Sequence, residues 1–270
     1  MLELYHHGSS VCAARVRLSL EEKELPWESH YVDILKGEQF SDEYRTINPK
    51  ALVPTLVHNG FVVPEATVIC EYLEDICPEQ PLRPADPGER SRAMLWAKAV
   101  DEELHPACAE LTFAASHRYT LFKLGPEKVK AFLDSTPGNS LTHNWHNRKK
   151  QIVREGFKAP DIADKVKLYG SYMHRMETAL QEDLWLTGKR FTLADTAMLP
   201  YVMRLEMMSM HGIWASGRLP NVARWLQACK QRSSFRPALL DWLPDDLRKD
   251  LHAHGTISWP DVAGILDIPV

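Results

Sequence analysis

The feature that most restricts the fold is a proline-rich segment, CPEQPLRPADPGER, at residues 77–90. Its four prolines cannot donate backbone hydrogen bonds, so neither a long helix nor a paired strand can run through it. Short strand-like and helix-like runs alternate before it, and mainly helical patterns follow it. We therefore predict an α/β domain at residues 1–80, a linker at 81–90, an all-α domain at 91–246, and a tail at 247–270 whose packing the sequence leaves open.

The first eighty residues predict the element order β-α-β-α-β-β-α. Short strands are indicated by LELY at residues 2–5 and WESHYVDI at residues 27–34. Two β-branched runs flank Asn59-Gly60, and this dipeptide favours a hairpin because both residues tolerate positive φ. A helical spacing follows in ATVICEYLEDI. The order predicts a small mixed sheet covered by helices.

The first helix is predicted at residues 12–23 from its apolar spacing. Its apolar positions recur at i, i+3 and i+7, whereas Arg15 and Arg17 fall on other faces of the helix. An amphipathic helix of this kind buries one stripe and leaves its charged faces in water. We therefore expect both arginines to lie on polar faces.

Beyond the linker, the helical patterns are interrupted by an irregular segment at about residues 114–158, rich in His, Asn, Pro and Trp. A connection of this length inside a compact domain is usually functional or mobile. Within it, the basic run NRKK at residues 147–150 is predicted to be a solvated helix face and not a polyanion site.

The composition argues against several classes of protein. The formal net charge is −4 and the sequence pI is about 6.3, unlike the basic footprint of a nucleic-acid binder. There is no signal-peptide pattern and no long apolar window, so no membrane association is expected. Five scattered cysteines form no C-x-x-C pair, and twelve histidines show no metal spacing. We expect no disulfide framework, no metal and a reduced, cytoplasmic setting.

Three local features of the first domain contain residues that can take part in binding or catalysis. Ser10 and Cys12 lie at a strand-to-helix turn, Val53-Pro54 precedes a strand, and Glu65 begins a helix. A hydroxyl or thiol at a helix start lies near unpaired backbone N–H groups, which stabilise negative charge. Ser10 and Cys12 are therefore the candidates for chemistry at this turn.

The helical half adds a fourth feature, FTLADTAMLPYVMRL at residues 191–205, in which Thr192 and Asp195 form a Thr-x-x-Asp capping box. Together the four features resemble the glutathione transferase family. The resemblance implies a thioredoxin-like N-terminal domain, an all-α C-terminal domain, glutathione as co-substrate, a small hydrophobic electrophile as acceptor, and a homodimer.

Two branches of that family are indicated by different stretches. TVICEYLED, LRPADP and RAMLWAKAVDEEL look like bacterial members that cleave β-aryl ethers of lignin fragments. SVCAARVRLSLEE is more similar to a bacterial glutathione-dependent dehalogenase, in which a cysteine at the position of Cys12 is catalytic. The two likenesses imply different substrates.

Glutathione must lose its thiol proton before it can attack, and a free thiol with a pKa near 8.5 is only a few per cent ionised at neutral pH. A helix N-terminus and a hydroxyl donor both favour the thiolate. The resemblance places Ser10 as that hydroxyl, and the alternative is a plain helix cap. Cys12 is either a reactive thiol at the helix start or a small buried residue. Ser9 is interpreted as a turn residue.

The remaining glutathione contacts follow from the resemblance. Val53 precedes Pro54, which the family keeps cis, and their backbone would pair with glutathione as a β-strand does. Glu65 matches the residue that contacts the γ-glutamyl end. Ala66 departs from the family, which usually has Ser there, and Leu52 departs from the more common Gln or Lys. Loss of one charge-assisted hydrogen bond costs about 1.5–3 kcal/mol, so the two departures leave two alternatives: weaker glutathione binding or a modified thiol ligand.

The acceptor site is expected between the domains, with Trp145 as a lid. The residues predicted to contact the acceptor are Leu104, Cys108, Leu111, Phe113, Tyr119 and Trp145. Three functions remain open: a transferase that uses Ser10, for example on β-aryl ethers; a thiol reductase or reductive dehalogenase centred on Cys12; and a non-catalytic binding protein of the same fold.

Overall fold

The computed structural model describes residues 1–269, and its first part is built on a four-stranded sheet in the order β2-β1-β3-β4. The strands are β1 (Leu2–His6), β2 (Trp27–Tyr31), β3 (Thr55–His58) and β4 (Phe61–Pro64). Strand β1 pairs parallel with β2 and antiparallel with β3, so Leu4 lies opposite both Ser29 and Leu56. Strands β3 and β4 form the predicted hairpin, with φ of 50° at Asn59 and 83° at Gly60.

Three helices cover this sheet and complete the predicted β-α-β-α-β-β-α order: α1 (Val11–Glu22), α2 (Asp42–Ile47) and α3 (Ala66–Ile76). The turn from β1 into α1 passes against the backbone of Trp242. A Cβ atom on Gly8 would come within 1.9 Å of the Trp242 carbonyl oxygen, so a side chain cannot fit there. This close approach places Ser9 and Ser10 beside the helical half of the chain.

The second half is helical, as predicted, and its first long helix is interrupted twice. Its helices are α4 (Pro87–Ala99), α5 (His105–Thr112), α6 (Arg118–Phe122), α7 (Pro126–Asp134), α8 (Trp145–Glu155), α9 (Ile162–Ala179), α10 (Leu193–Met207), α11 (Pro220–Lys230), α12 (Phe235–Leu239) and α13 (Asp245–Ile265). Two π-helical turns, Val100–Leu104 and Phe113–His117, join α4 to α5 and α5 to α6. None of the helices within residues 1–269 is long and apolar enough to cross a membrane.

The prediction of an irregular segment at residues 114–158 is wrong, because α6, α7 and α8 occupy most of it. Each of these helices is too short to give a clear periodicity in the sequence. Val129 and Phe132 of α7 pack with Val153 of α8 in a small apolar cluster. Tertiary packing of a few apolar residues therefore holds helices that local pattern does not reveal.

Helix α10 runs through the centre of the molecule and packs against α1 and α4. The predicted capping box is present: Thr192 accepts from the backbone at the helix start, and the Asp195 carboxylate accepts from the Thr192 N–H at 2.9 Å. Asp195 also accepts from Trp225 Nε1 at 2.9 Å. Burial raises the pKa of Asp195 to about 6.

The prediction that Arg15 and Arg17 lie on polar faces is wrong, because α1 is covered by α3, α10 and α12. Both arginines are buried. Arg17 donates to the Ala238 carbonyl at 2.7 Å. Arg15 donates to Asp101 and to the Thr67 hydroxyl, each at 2.6 Å. The charged side of the first helix is therefore an internal surface.

The predicted tail is occupied by α13, which packs against α10 and the turn Phe113–His117. Leu247, Leu251 and Val262 are buried in the main apolar cluster. Gly255 lies directly on the Met208 backbone. The exact domain limits given above stay predictions.

Candidate active site

A largely apolar cavity lies where the turn after β1 meets the helical half. From the first half it is lined by Ser9, Ser10, Val11, Ala51, Leu52 and Val53. From α5 and the turn after it come His105, Cys108, Ala109, Thr112, Phe113 and His117. The far wall includes Phe132, Trp145, Lys149 and Arg204. The cavity thus brings the predicted sulfur site and part of the predicted acceptor site together.

Ser10 is the N-cap of α1 and also lines the cavity. Its hydroxyl oxygen accepts from the Ala13 N–H at 3.1 Å, and its nearest acceptor is the Val53 carbonyl at a long 3.5 Å. A hydrogen bond this long is weak, so the hydroxyl proton is available to a ligand. The hydroxyl oxygen accepts the capping hydrogen bond and the hydroxyl proton can be donated to a ligand, so the two roles are compatible.

Cys12 is turned away from the cavity, toward α5 and α10. Its sulfur lies 3.4 Å from His105 Nδ1 and 3.6 Å from the Tyr201 hydroxyl. Burial raises the pKa of the Cys12 thiol to about 11 and lowers that of His105 to about 4. At neutral pH this pair is a neutral thiol beside a neutral imidazole.

The other predicted glutathione contacts lie along one edge of the first domain. The Val53–Pro54 peptide is cis, and Val53 is in the cavity wall. Glu65 adopts a positive φ of 71°, an uncommon conformation for a residue with a side chain, and its carboxylate is 2.6 Å from Lys50 Nζ. Ala66 follows as the first residue of α3 and is buried.

The Thr67 hydroxyl does not replace the serine hydroxyl missing at Ala66. It accepts from Arg15 and donates to the Asp101 carboxylate at 2.6 Å. Leu52, the second departure, lines the cavity with an apolar side chain, and its carbonyl accepts from the Tyr44 hydroxyl at 2.6 Å. Both departures therefore remove side-chain polar groups.

The predicted acceptor residues separate into two groups. Cys108, Phe113 and Trp145 line the cavity, and Trp145 is buried in its wall at the start of α8. Leu104 and Leu111 do not, because they face the main core on the other side of the helix. Tyr119 lies beyond the turn and stacks on His254 at 4.6 Å between ring centroids.

Ser9, interpreted from the sequence as a turn residue, joins a buried polar cluster at the cavity. Its hydroxyl lies 3.1 Å from both His117 Nε2 and an Arg204 nitrogen, and its carbonyl also accepts from Arg204. Two further nitrogens of Arg204 and His117 Nδ1 have no hydrogen-bond partner within residues 1–269. Burial lowers the pKa of His117 well below its ordinary value.

Lys149 is a cavity residue that the sequence pattern assigned to a solvated face, which is wrong for this position. Its side chain is 5% exposed, and its Nζ lies 4.1 Å from the centroid of the Phe132 ring and 5.0 Å from that of Phe113. The run NRKK hides this role because Arg148 and Lys150, on either side of Lys149, keep part of their side chains in water. No local signal distinguishes Lys149 from them.

Comparison with known proteins gives the family. The models of the glutathione S-transferase N-terminal and C-terminal domains match residues 9–76 and 162–228. Protein LigF of Sphingobium sp. (strain NBRC 103272 / SYK-6) is 31% identical over 255 residues, covering 93% of this chain and 96% of that protein. The crystal structure of beta-etherase LigF from Sphingobium sp. strain SYK-6 matches with a TM-score of 0.77 at 28% identity, over 88% of this chain and 98% of its own.

A second relative represents the other branch. The tetrachloro-p-hydroquinone reductive dehalogenase of Sphingobium chlorophenolicum is 26% identical over 239 residues, covering 88% of this chain and 95% of that enzyme. The expected architecture, the enzyme class and the use of glutathione as co-substrate are thereby confirmed. On the two matching domain models and the similarity along nearly its whole length, the chain belongs to the glutathione S-transferase family.

Proposed function

We propose that this transferase joins the sulfur of glutathione to the β-carbon of an aryl ether, giving a glutathione thioether and a phenol. The observation that carries the proposal is the position of Ser10, whose hydroxyl caps α1 and faces an apolar, aromatic-lined cavity. The similarity to beta-etherase LigF over 93% of the chain supports this choice of acceptor.

In this mechanism the glutathione sulfur rests beside Ser10, which donates its free hydroxyl proton to the thiolate. A hydrogen bond to a charged group contributes about 1.5–3 kcal/mol, equivalent to roughly one to two units of thiol pKa. The N-terminus of α1 adds a favourable dipole. The thiolate then attacks the β-carbon, the C–S bond forms, and the C–O bond breaks with its electron pair on the aryl oxygen.

Glutathione would lie along the cis Val53–Pro54 edge, with its γ-glutamyl end near Glu65 and the start of α3. Ala66 supplies only a backbone N–H there, so the affinity is proposed to be lower than in relatives with serine. The expected homodimer and the cytoplasmic setting stay predictions.

A thiol exchange or dehalogenation centred on Cys12 is the second candidate, and the 3.4 Å contact between its sulfur and His105 is the observation in its favour. However, a thiol with a pKa near 11 has almost no thiolate at neutral pH, and only the thiolate is a nucleophile. Cys12 also lies outside the cavity lining. We therefore favour Ser10.

The test uses three variants and two substrates. Ser10→Ala should lower aryl-ether turnover by about ten- to hundredfold, whereas Cys12→Ala should retain it. Ser41→Ala is the matched control, because Ser41 caps α2 in the same way, through the Tyr44 N–H, without lining the cavity. Each variant is also assayed for glutathione-dependent reduction of a mixed disulfide.

The three candidate functions predict different outcomes in these assays. Loss of activity in Cys12→Ala but not in Ser10→Ala would establish the thiol-centred reaction and refute the role of Ser10. An equal loss of aryl-ether turnover in Ser10→Ala and Ser41→Ala would show that Ser10 acts only as a helix cap. Binding of glutathione without turnover of any electrophile would support the non-catalytic alternative.

A further inference from the structure

The proposed ether cleavage leaves a phenolate, whose oxygen must take up a proton to give the neutral phenol. A poorly acidic phenol leaves far more readily if its oxygen is protonated as the C–O bond breaks. Four basic side chains line the cavity: His105, His117, Lys149 and Arg204. A protonated basic side chain is the best proton donor among the lining groups, because the lining hydroxyls are much weaker acids and burial raises the pKa of the Cys108 thiol.

Three of the four are unsuited to give a proton at neutral pH. His105 is partly buried and His117 is buried, and the loss of solvation lowers the pKa of both, so both rings are neutral. Arg204 retains its proton, since a guanidinium is not deprotonated in this range. Lys149 alone combines a removable proton with a place in the cavity wall.

The surroundings of Lys149 contain no acidic group that would hold its proton. Within residues 1–269 no carboxylate lies within ion-pair distance of Lys149, and its one hydrogen bond is to the Thr136 hydroxyl at 3.4 Å. Its neighbours on α8 are different: Arg148 pairs with Glu110 and Lys150 with Asp134, each at 2.6 Å.

The elements packed around Lys149 present mainly aromatic faces. Its Nζ lies over the rings of Phe40, Phe113 and Phe132, at 6.0, 5.0 and 4.1 Å from their centroids. The charged groups of these elements are engaged elsewhere or exposed. Asp134 of α7 pairs with Lys130 and Lys150, Glu38 accepts from the Asp33 N–H, and Glu127 and Lys128 are exposed. His117 is neutral, and the His146 ring bonds the Thr136 carbonyl at 2.7 Å. The ammonium is therefore held by ring faces and one hydroxyl, and it remains free to bond an aryl oxygen in the cavity.

We propose that Lys149 is the general acid of the reaction: its ammonium donates a proton to the aryl oxygen as the ether C–O bond breaks. This inference rests on the proposed ether cleavage. The products are the thioether, the neutral phenol and a neutral lysine amine, which recovers its proton from water. The proton released by the glutathione thiol to solvent balances this uptake.

The acidity of Lys149 suits this role. Burial lowers the pKa of its ammonium to about 7, so that protonated and neutral forms both exist at neutral pH. General acids are most effective when their pKa lies near the working pH. A surface lysine, with a pKa near 10.4, would be a weaker proton donor.

The experiment compares acceptors that differ in their need for a proton. Wild type, Lys149→Met, Lys149→Arg and the control Lys150→Met are assayed with a guaiacyl ether, the matched 4-nitrophenyl ether and 1-chloro-2,4-dinitrobenzene, whose chloride leaves unprotonated. In Lys149→Met the ratio of guaiacyl-ether to chloride turnover should fall by about a hundredfold or more, and the nitrophenyl ratio by much less. Lys149→Arg should not restore the guaiacyl ratio, and Lys150→Met should leave it unchanged.

The pH profile and product binding provide further readouts. The fall in guaiacyl-ether kcat/KM above about pH 7 should disappear in Lys149→Met. Wild type should also lower the apparent pKa of bound 4-nitrophenol, seen in its visible absorption, because an ammonium stabilises the phenolate. This shift should be absent in Lys149→Met and present in Lys150→Met.

Each other outcome overturns the assignment. Equal losses on all three acceptors would make Lys149 a structural residue, and unchanged turnover of all three would show that Lys149 takes no part in the reaction. Wild type that conjugates the chloroarene yet cleaves neither ether would refute ether cleavage itself, and the Lys149 step with it. The failures can be told apart, because a failure of ether cleavage is seen in the wild-type protein, whereas a failure of the Lys149 assignment is seen only in Lys149→Met.

Discussion

The guanidinium of Arg15 lies 2.6 Å from the carboxylate of Asp101 and joins the first helix of the sheet domain to the helical half. Arg15 is 2% exposed, and Thr67 bonds both members of the pair. Asp101 is partly exposed, but its removal would leave a buried cation with one neutral partner. Buried charges that lose their partner are strongly destabilising.

We therefore expect Asp101→Asn to lower the free energy of unfolding by about 2–3 kcal/mol. Urea denaturation measures the change. Glu102→Gln is the control, because Glu102 pairs with Lys98 on the exposed side of the same turn, and surface pairs contribute about 0–1 kcal/mol. Equal effects of the two substitutions would show that the buried pair contributes nothing special.

Three buried histidines and the partly buried His105 predict a loss of stability in mild acid. Burial lowers the pKa of His6 to about 3, and those of His7 and His105 to about 4, and it lowers that of His117 well below 6.5. Between these values and 6.5 the unfolded chain binds more protons, so stability rises with pH and falls on acidification. From pH 7 to 5.5 each histidine costs about 1.2 kcal/mol.

Urea denaturation at these two pH values tests this prediction. His105→Asn should reduce the difference in unfolding free energy by about 1.2 kcal/mol, because one titrating group is removed. His143→Gln, at an exposed position, should leave the difference unchanged. Stability that is flat between pH 7 and 5.5 would contradict the buried neutral state of these rings.

The element order, the Asn59-Gly60 hairpin and the Thr192–Asp195 capping box could all be predicted, because each depends on residues close together in the chain. The burial of Arg15 and Lys149 could not. Both lie beside other charged residues in the sequence. Only the packing of separate elements decides which of these charged side chains is buried. For the same reason, the proposed role of Lys149 as proton donor could not be predicted from the sequence.

Ala66 offers a direct test of the glutathione site. Ala66→Ser restores a hydroxyl at the first residue of α3, where it can bond the γ-glutamyl carboxylate, so glutathione should bind about ten- to hundredfold more tightly. Calorimetric titration gives the affinity. Ala223→Ser, in α11 and outside the cavity lining, should leave it unchanged. An unaltered affinity in Ala66→Ser would place the γ-glutamyl end elsewhere.

The acceptor wall can be tested with two aromatic residues that were predicted together and that the structure separates. Phe113 lines the cavity, whereas Tyr119 stacks on His254 outside it. Phe113→Ala should raise KM for an aryl ether about tenfold through lost aromatic contact, with KM for glutathione little changed. Tyr119→Ala should leave both constants near wild type. A larger effect of Tyr119→Ala would contradict the position of the acceptor.

Two glycines of α13, the helix that fills the predicted tail, differ in how closely other atoms approach them. A Cβ on Gly255 would come within 2.2 Å of the Met208 carbonyl oxygen, whereas one on Gly264 meets nothing within 4 Å. Because the obstacle is backbone, Gly255→Ala must shift α13 away from the end of α10, and overpacking of this kind costs about 1–3 kcal/mol or more. Gly264→Ala should instead be neutral or stabilise the helix, by up to about 0.5–1 kcal/mol.

Urea denaturation of both variants measures the difference, and limited proteolysis shows whether α13 is released. Gly255→Ala should lower the unfolding midpoint and expose cleavage sites after residue 245. Since α13 also packs against the turn Phe113–His117 of the cavity wall, its displacement should raise KM for the acceptor as well. Equal stability of the two variants would mean that α13 does not rest on Met208, and the cavity wall would then be supported by other contacts.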